Sequence, residues 1–320
     1  MIRRVHTCAV LATLAGISGG CAVRNGVTSR TVVKPQERPV AKDATRAELL
    51  EKYNFIAQNI KSLNTTVQLK PTAGSKYSGL ISEYHEVKAF LLAERPEKVR
   101  VIGQAPVVGT TVFDMASDGT TFHVSIPSRN KFLVGPVAVE RNSNKPIENL
   151  RPQHLVDALL WSEIRKQESV LLEEYNDEKG RYYVLTVLRG GYQTEILRKI
   201  WFDRADLQVA RLENFGPQGT LLSDVHFADW QPIDAGAASA HGTGAAAASP
   251  SPAAGITAFP RSIHVERPHD DYVLDLQIQK IVVNEEIPAE RFKLEQPTGS
   301  ELIHVGDDAE SKQPVKDAKP

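Results

Sequence analysis

Residues 99–126, VRVIGQAPVVGTTVFDMASDGTTFHVSI, decide the fold of this chain of 320 residues. Three runs rich in β-branched and aromatic residues, at 99–102, 111–115 and 122–126, are separated by segments that contain Gly, Pro, Ser and Asp. Such runs are typical of strands, and the separating residues are typical of tight turns. The stretch therefore predicts an antiparallel meander.

The same pattern extends over most of the chain. Further candidate strands lie at 65–70, 82–94, 170–175, 182–188, 195–202, 209–213, 222–227, 261–265 and 272–278. About a dozen strands are too many for one flat sheet. We therefore expect a mainly β fold of the α+β class, built on a strongly curved antiparallel sheet or an unclosed barrel of about eleven or twelve strands.

Two helices are expected to cover this sheet as a lid. Thr45 and Glu48 have the spacing of a capping box, and apolar residues then recur at helical spacing over 46–61. A second helix is predicted over 152–161, where Pro152 stands at the first position.

The N-terminus has the layout of a secretory signal peptide over residues 1–20. Arg3 and Arg4 precede a mostly apolar run at 8–17, and small residues lead to Cys21. The apolar run is too short for a stable membrane-spanning helix. The small residues before Cys21 also resemble the lipobox of bacterial lipoproteins, in which the cysteine is lipidated, although Ser18 stands where Leu is usual. A plain signal peptide followed by a chance cysteine is the alternative.

The remaining organisation follows from composition. Residues 21–43 are polar and are interpreted as a lipidated N-terminus and flexible tether, and residues 44–305 as one domain. Within that domain, 235–254 is an Ala, Gly, Ser and Pro insertion of low complexity. The charged stretch 306–320 is predicted to be a disordered tail.

Composition excludes several classes of function. The formal net charge of −1 favours no nucleic-acid partner. The two cysteines are Cys8 and Cys21, so cleavage and lipidation leave no cysteine for a disulfide, a metal site or a nucleophile. We expect no cofactor and no metal, and the sequence leaves the oligomeric state open.

No catalytic group of residues stands out, so we expect a protein that is not an enzyme. The histidines of the strand patterns are interpreted as surface residues of strands: His85, His123, His226 and His264. The run 269–271, His-Asp-Asp, is interpreted as a polar hairpin turn rather than a metal site. Aromatic residues of neighbouring strands either line a cavity or belong to the core: Tyr175, Tyr182, Tyr183, Trp201 and Phe202.

The order of these elements resembles a known family. A lipoprotein signal, a tether and an amphipathic helix precede 95–101 (RPEKVRV), the loop 105–111 (APVVGTT), 113–119 (FDMASDG) and 122–124 (FHV). Residues 259–263 (FPRSI) also resemble a strand start of that family. This is similar to the LolA/LolB-like superfamily of periplasmic lipoprotein carriers and outer-membrane lipoprotein receptors, and more to the anchored receptor. The resemblance covers roughly residues 44–296.

The resemblance implies an unclosed antiparallel barrel with a helical lid and an apolar cavity for acyl chains. It also implies an exposed apolar loop that contacts the membrane or the cargo, matched here by Val107 and Val108. An ordinary buried loop end is the alternative for these two valines. Ala22 stands where an Asp marks inner-membrane retention in enterobacterial lipoproteins, which favours the outer membrane.

Two functions are therefore expected from the sequence. The first is an outer-membrane lipoprotein that faces the periplasm, attached through lipidated Cys21, and binds lipid acyl chains or lipoproteins for lipoprotein localisation. The second is an envelope interaction module that uses the same fold to dock a protein partner without transport.

Overall fold

The computed structural model describes residues 39–75, 80–137, 151–178, 180–191, 194–233 and 258–305. Residues Val40–Pro320 form one compact unit, and the described hydrophobic core lies within it. This unit therefore carries its own core. Cys21, the insertion 235–254 and the tail 306–320 lie outside the described residues.

Two α-helices occur among the described residues, α1 (Arg46–Asn59) and α2 (Pro152–Leu159). The Thr45 hydroxyl accepts a hydrogen bond from the Glu48 amide, and the Glu48 carboxylate accepts one from the Thr45 amide at 2.7 Å. This confirms the predicted capping box. Pro152 lies in the first turn of α2, as predicted. Neither helix is long and apolar enough to cross a bilayer.

Fifteen strands form a single sheet. In chain order they are β1 (Ser62–Ser75), β2 (Leu80–Glu83), β3 (Val87–Glu94), β4 (Lys98–Gln104), β5 (Thr111–Ser117), β6 (Thr121–Ile126), β7 (Lys131–Pro136), β8 (Glu168–Asn176), β9 (Arg181–Arg189), β10 (Glu195–Asp203), β11 (Val209–Phe215), β12 (Leu221–Pro232), β13 (Ala258–Arg267), β14 (Tyr272–Val283) and β15 (Glu301–His304).

The sheet order is β15-β7-β6-β5-β4-β3-β1-β14-β13-β12-β11-β10-β9-β8, with β2 paired to β1 outside this path. The pairing is antiparallel except for β15, which runs parallel to β7. Among the described residues β8 and β15 are the two edges and do not pair, so the barrel is unclosed. The predicted fold class is confirmed.

The count of fifteen strands exceeds the predicted eleven or twelve. The run 82–94 divides into β2 and β3 because residues 84–86 lie outside any strand, which places His85 in an irregular segment rather than in a strand. Two strands, β7 and β15, were not predicted. β15 has only four residues. It joins the sheet by pairing with β7, in which the partner of Glu301 is Lys131, about 170 positions earlier in the chain.

The curvature of the sheet follows from contacts across it. The guanidinium of Arg95, between β3 and β4, donates to the Trp161 carbonyl, and that of Arg198 on β10 donates to the next carbonyl, at Ser162. β3 and β10 are six places apart in the sheet order, which is about 29 Å in a flat sheet at ~4.8 Å per strand. Both arginines reach neighbouring atoms only because the sheet curves around the helices.

One apolar cluster joins both helices to the inner face of the sheet. Leu49, Tyr53 and Ala57 of α1 and Leu155 and Leu159 of α2 are buried in it. It continues through β1, through β3 to β5 and through β9 to β14. The helices therefore fill the concavity rather than resting on its rim.

Candidate functional site

The centre of the concave face is covered by residues 160–165, which follow α2 and which we call the cover segment. Leu160, Trp161 and Ile164 point inwards and are buried, whereas Ser162, Glu163 and Arg165 are exposed. The cover segment therefore has one side that closes the apolar interior and another side that faces solvent.

Trp161 anchors the cover segment in the core. Its indole is 2% exposed and stacks on the Tyr53 ring with centroids 5.5 Å apart and an interplanar angle of 7°. It also meets the rings of Phe227 and Trp230 on β12 edge to face, at 5.1 and 6.2 Å. Aromatic contacts of this kind add about 0.5–1.5 kcal/mol each beyond burial. The cluster ties α1, the cover segment and β12 together.

Hydrogen bonds hold the backbone of the cover segment from three sides. The Tyr53 hydroxyl donates to the Ser162 carbonyl at 3.0 Å. Asn54 on α1 forms two bonds with the backbone of Ile164, at 3.0 and 2.7 Å. The Arg95 guanidinium donates to the Ile60 and Trp161 carbonyls at 2.8 and 2.7 Å.

Arg198 makes the corresponding contact from the far side of the sheet. Its guanidinium donates to the Ser162 carbonyl at 2.7 Å and lies 3.7 Å from the Glu168 carboxylate. The side chain is nearly buried, and a buried guanidinium needs such acceptors. The carbonyls of an irregular segment are thus satisfied by side chains, since no neighbouring strand supplies their partners.

Two cavities flank the cover segment, and Ser162, Glu163 and Arg165 line both of them. The first, of about 910 Å³, also reaches Lys61 and Arg95 at the end of the sheet where β1 and β4 begin. Most of its lining residues are polar or charged. It is therefore not the apolar cavity that the resemblance implies.

The second cavity, of about 350 Å³, has a mixed lining. Leu197, Leu212, Phe215 and Tyr53 supply apolar surface. Charged side chains supply the rest: Asp157, Glu163, Glu168, Arg165, Arg189 and Arg198. This cavity combines apolar and charged surface directly beside the core.

Asp157 is the charged residue of α2 that faces this cavity. Its side chain reaches water, but the protein crowds its carboxyl group, and this desolvation raises its pKa to about 6. The positive charge of Arg267 opposes the rise, and the negative charge of Glu97 adds to it. Within the described residues no hydrogen bond or ion pair satisfies this carboxyl group.

On the same helix, His154 contacts the Tyr272 hydroxyl at the start of β14. Burial lowers the pKa of His154 well below its ordinary value, and the charges of Arg267 and Arg151 add to that effect. Burial raises the pKa of Tyr272. Both groups are therefore neutral near pH 7, which suits their place in the apolar interior.

The loop with the two predicted valines lies at the tip of the β4–β5 hairpin. Val107 is 96% exposed and Val108 73% exposed. The loop, residues 105–110, is closed by a bond from the Gly109 amide to the Ala105 carbonyl at 3.0 Å, with Gly109 at a φ of +64°. Only glycine adopts this conformation freely. The valines are thus not a buried loop end, and their contact with a membrane or cargo stays a prediction.

The predicted aromatic strip is divided by the alternation of strand side chains. Tyr183 and Phe202 are buried in the core. On the opposite face, the Trp201 ring meets Tyr175 at 5.1 Å and Tyr182 at 5.8 Å, both edge to face. Neither half lines the two cavities described above.

The polar residues singled out in the sequence have structural roles, in a turn and on a strand. Residues 269–271 form the turn between β13 and β14, and among the described residues no group of three or more potential ligands is placed to hold a metal. His264 on β13 bonds to Asp275 at 2.6 Å and Glu266 at 3.1 Å. Burial lowers its pKa, but these hydrogen bonds and charges outweigh that and raise the pKa.

Sequence reasoning missed Arg95, Arg198, Asp157 and the cover segment. For Asp157 a signal exists, because it is the one acidic or basic residue in the apolar stretch 152–161. Nothing in the sequence near Arg95 or Arg198 indicates that they meet at adjacent carbonyls. That meeting depends on the curvature of the sheet.

Neither a family model nor a curated protein matches the chain. Solved structures do. A LolA superfamily protein from Nitrosomonas europaea is 15% identical, covers 79% of this chain and 99% of its own, and has a TM-score of 0.44. An outer membrane lipoprotein-sorting protein domain from Vibrio parahaemolyticus is 11% identical. The match covers 78% of this chain and 97% of that domain, and its TM-score is also 0.44.

A DUF1329 family protein from Desulfovibrio piger is 13% identical, covers 79% of this chain and 98% of its own, and has a TM-score of 0.43. Each of these three proteins is covered over nearly its whole length.

Proposed function

We propose that this protein binds lipid acyl chains, free or as part of lipoproteins, on the concave face of its sheet. We further propose that lipid on Cys21 attaches it to the outer membrane, facing the periplasm, where it serves lipoprotein localisation. The observation that carries the first proposal is the cover segment, six residues of irregular backbone that close a continuous apolar surface between two cavities.

Exchange of this cover for an acyl chain has a favourable and an unfavourable contribution. Each methylene that moves from water to an apolar surface gains about 0.8 kcal/mol, so ten methylenes gain roughly 8 kcal/mol. The bonds that Tyr53 and Asn54 make to the cover segment contribute about 1 kcal/mol each. Displacement of the cover also exposes Leu160, Trp161 and Ile164 and breaks the bonds from Arg95 and Arg198, so the bound chain has to fill the space that these side chains leave.

The direct test is lipid that remains bound during purification. The chain from Ala22 onward, which contains the compact unit Val40–Pro320, is secreted to a bacterial periplasm, purified without detergent, extracted and analysed by mass spectrometry. An acyl lipid at close to one equivalent supports the proposal. A folded protein without extractable lipid, which also takes up none from added vesicles, contradicts it.

The exposed valines provide a second test. Val107→Glu with Val108→Glu places charge on a tip that the fold does not bury, so folding should be unchanged while transfer of lipid between protein and vesicles slows. Leu171→Glu is the matched control, because Leu171 is 57% exposed on β8 at the other edge of the sheet. Equal transfer rates in the unmodified chain, the double valine variant and Leu171→Glu would show that the tip takes no part in lipid transfer.

A second function has one observation in its favour. The interior beneath the helices is packed with large side chains such as Tyr53, Trp161 and Phe202. A filled interior suits an envelope module that docks a protein partner and carries no lipid. The absence of bound lipid in the mass-spectrometry experiment would favour this alternative.

A further inference from the structure

The strand β8 is a sheet edge without the features that usually protect edges. Among the described residues no strand pairs with its free side, and its register with β9 runs over all nine residues without a bulge. Its sequence, ESVLLEEYN, contains neither the proline nor the lysine that often blocks an edge. The opposite edge, β15, has only four residues. β8 therefore offers a longer template to an added strand.

The hairpin that joins β8 to β9 shows which backbone groups face away from the sheet. The Asp177 amide donates to the Gly180 carbonyl at 3.0 Å, which marks these two residues as a hydrogen-bonded pair. Since such pairs alternate along an antiparallel ladder, the even-numbered residues of β8 direct their amides and carbonyls away from β9. The Val170 carbonyl confirms this direction, because it accepts a bond from Arg46 on α1 at 3.2 Å.

The next two residues that face this way are Leu172 and Glu174. Within the described residues, no backbone group bonds to their amides or carbonyls on the free side. The Glu174 side chain is bonded to Arg204, but this contact leaves the Glu174 backbone free for another strand. The second half of β8 therefore has the donors and acceptors that strand addition requires.

The side chains of β8 divide between the two faces of the sheet. Val170 and Leu172 pack against the core, so Leu171, Glu173 and Tyr175 lie on the opposite, outer face. Leu171 is 57% exposed and Tyr175 46% exposed. Within the described residues, no salt bridge involves the exposed Glu173. The edge thus presents a carboxylate between a leucine and a tyrosine.

A second copy of the chain does not complement this row of side chains. In an antiparallel pair, the register that sets Leu171 against Tyr175 also sets Glu173 against its own copy, and like charges directly opposite destabilise a sheet. The register that sets Leu171 against itself requires the Val170 carbonyl, which already accepts the bond from Arg46. The register between these two sets Leu171 against Glu173.

We propose that the free edge of β8 binds an extended segment of another protein, in which a basic side chain stands between two apolar ones at alternate positions. The basic side chain pairs with Glu173, and the apolar ones contact Leu171 and Tyr175. The backbone of the segment bonds to Leu172 and Glu174. Neither Leu171 nor Glu173 lines the two cavities, so this docking is independent of the proposed lipid binding.

The experiment uses two fluorophore-labelled heptapeptides, TVTKTVT and TVTETVT, which have the same side-chain pattern in either strand direction. Fluorescence anisotropy measures their binding to the chain from Ala22. We expect the lysine peptide to bind about fivefold more tightly than the glutamate peptide. Glu173→Lys should reverse this preference. Glu301→Lys, on the exposed edge strand β15, is the matched control and should leave the preference unchanged.

A second measurement tests strand addition itself. Bound lysine peptide should slow the amide hydrogen exchange of Leu172 and Glu174, measured by NMR, because the added strand accepts bonds from these amides. Binding that leaves both exchange rates unchanged excludes strand addition at β8.

Three further results would overturn the inference. Binding of neither peptide means that the edge accepts no such segment. A lysine preference that persists in Glu173→Lys places the peptide elsewhere on the protein. A dimer of the unmodified chain that Leu171→Lys dissociates, detected by light scattering, assigns the edge to a second copy.

Discussion

Single residues of the cover site act through bonds that ordinary hydrophobic packing does not supply. Tyr53 is fully buried, and its hydroxyl is the donor for the Ser162 carbonyl. Its ring and its hydroxyl have separate roles, because the ring stacks on Trp161 and the hydroxyl holds the backbone. A change that removes the hydroxyl and keeps the ring separates the two.

Tyr53→Phe should therefore lower the free energy of unfolding by about 1 kcal/mol, since it removes one of the two donors to the Ser162 carbonyl and leaves the bond from Arg198 in place. Urea unfolding of the chain from Ala22 measures this loss. Tyr175→Phe is the control, because Tyr175 is 46% exposed in the cluster around Trp201 and should change stability by less than about 0.5 kcal/mol. Equal losses of unfolding free energy in the two variants would show that the hydrogen bond of the Tyr53 hydroxyl does not stabilise the fold.

His264 gives the outer face of the sheet a dependence on pH. Its folded pKa is raised because its bonds to Asp275 and Glu266 outweigh burial. A raised folded pKa stabilises the protein fully below the unfolded pKa of about 6.5, and this stabilisation is lost as the pH rises through the folded pKa.

His264→Gln should thus destabilise the protein more at pH 5.5 than at pH 8.5. The difference should be about 0.5 kcal/mol, as is usual for partly exposed ion pairs, and chemical unfolding at the two pH values measures it. His123→Gln is the control, because His123 on β6 packs against Phe132 and is given no carboxylate partner by the described residues. A pH-independent loss in His264→Gln would contradict the assignment.

At the level of elements, α1 depends on its first turn. The capping box between Thr45 and Glu48 satisfies two amides at the helix start, and the bonds that the Glu48 carboxylate accepts from Thr45 lower the pKa of that carboxyl group. The helix then presents Tyr53 and Asn54 to the cover segment. Loss of the cap should loosen the cover as well as the helix.

Thr45→Ala should reduce the free energy of unfolding by about 1 kcal/mol. It should also speed amide hydrogen exchange in α1 more than in β14, because the helix start loses its hydrogen-bond acceptor. Thr45→Ser keeps the hydroxyl and should restore most of the stability. If Ala and Ser behave alike, the cap does not contribute through its hydrogen bond.

The elements also show what the sequence predicts and what it does not. Signals confined to a few neighbouring residues were reliable, such as the cap at Thr45, the proline at the start of α2 and the runs of β-branched and aromatic residues that became β4 and β6. The missed elements depend on distant partners. β15 exists because residues 301–304 pair with 131–134. Distances of this length along the chain leave no periodic pattern.

The residues of the candidate site likewise include some that local sequence features predict and others that depend on contacts between distant parts of the chain. Val107 and Val108 were identified from a family resemblance and a turn, both of them local features. Arg95 and Arg198 become neighbours only when the curved sheet brings β3 and β10 to the same carbonyl groups. The apolar surface could be predicted from composition, but the residues that cover it could not.

At the level of the whole molecule, the proposed function requires the cover to move while the sheet stays fixed. α1 and the cover segment meet at Gln58 and Glu163, whose side chains form a hydrogen bond of 2.8 Å and are both close to solvent. The chain from Ala22 contains no cysteine. Gln58→Cys with Glu163→Cys therefore introduces the only two thiols, which a flexible bis-maleimide links without disturbing the core.

The linked protein should lose uptake of a fluorescent fatty acid from vesicles by about tenfold or more, because the cover can no longer leave the concave face. The same double variant with each thiol capped by a monofunctional maleimide is the control and should take up lipid as the unmodified chain does. Unchanged uptake in the linked protein would mean that lipid binds without displacement of the cover. The site would then have to lie outside the apolar surface that Trp161 closes, and the cover segment would be a permanent part of the core.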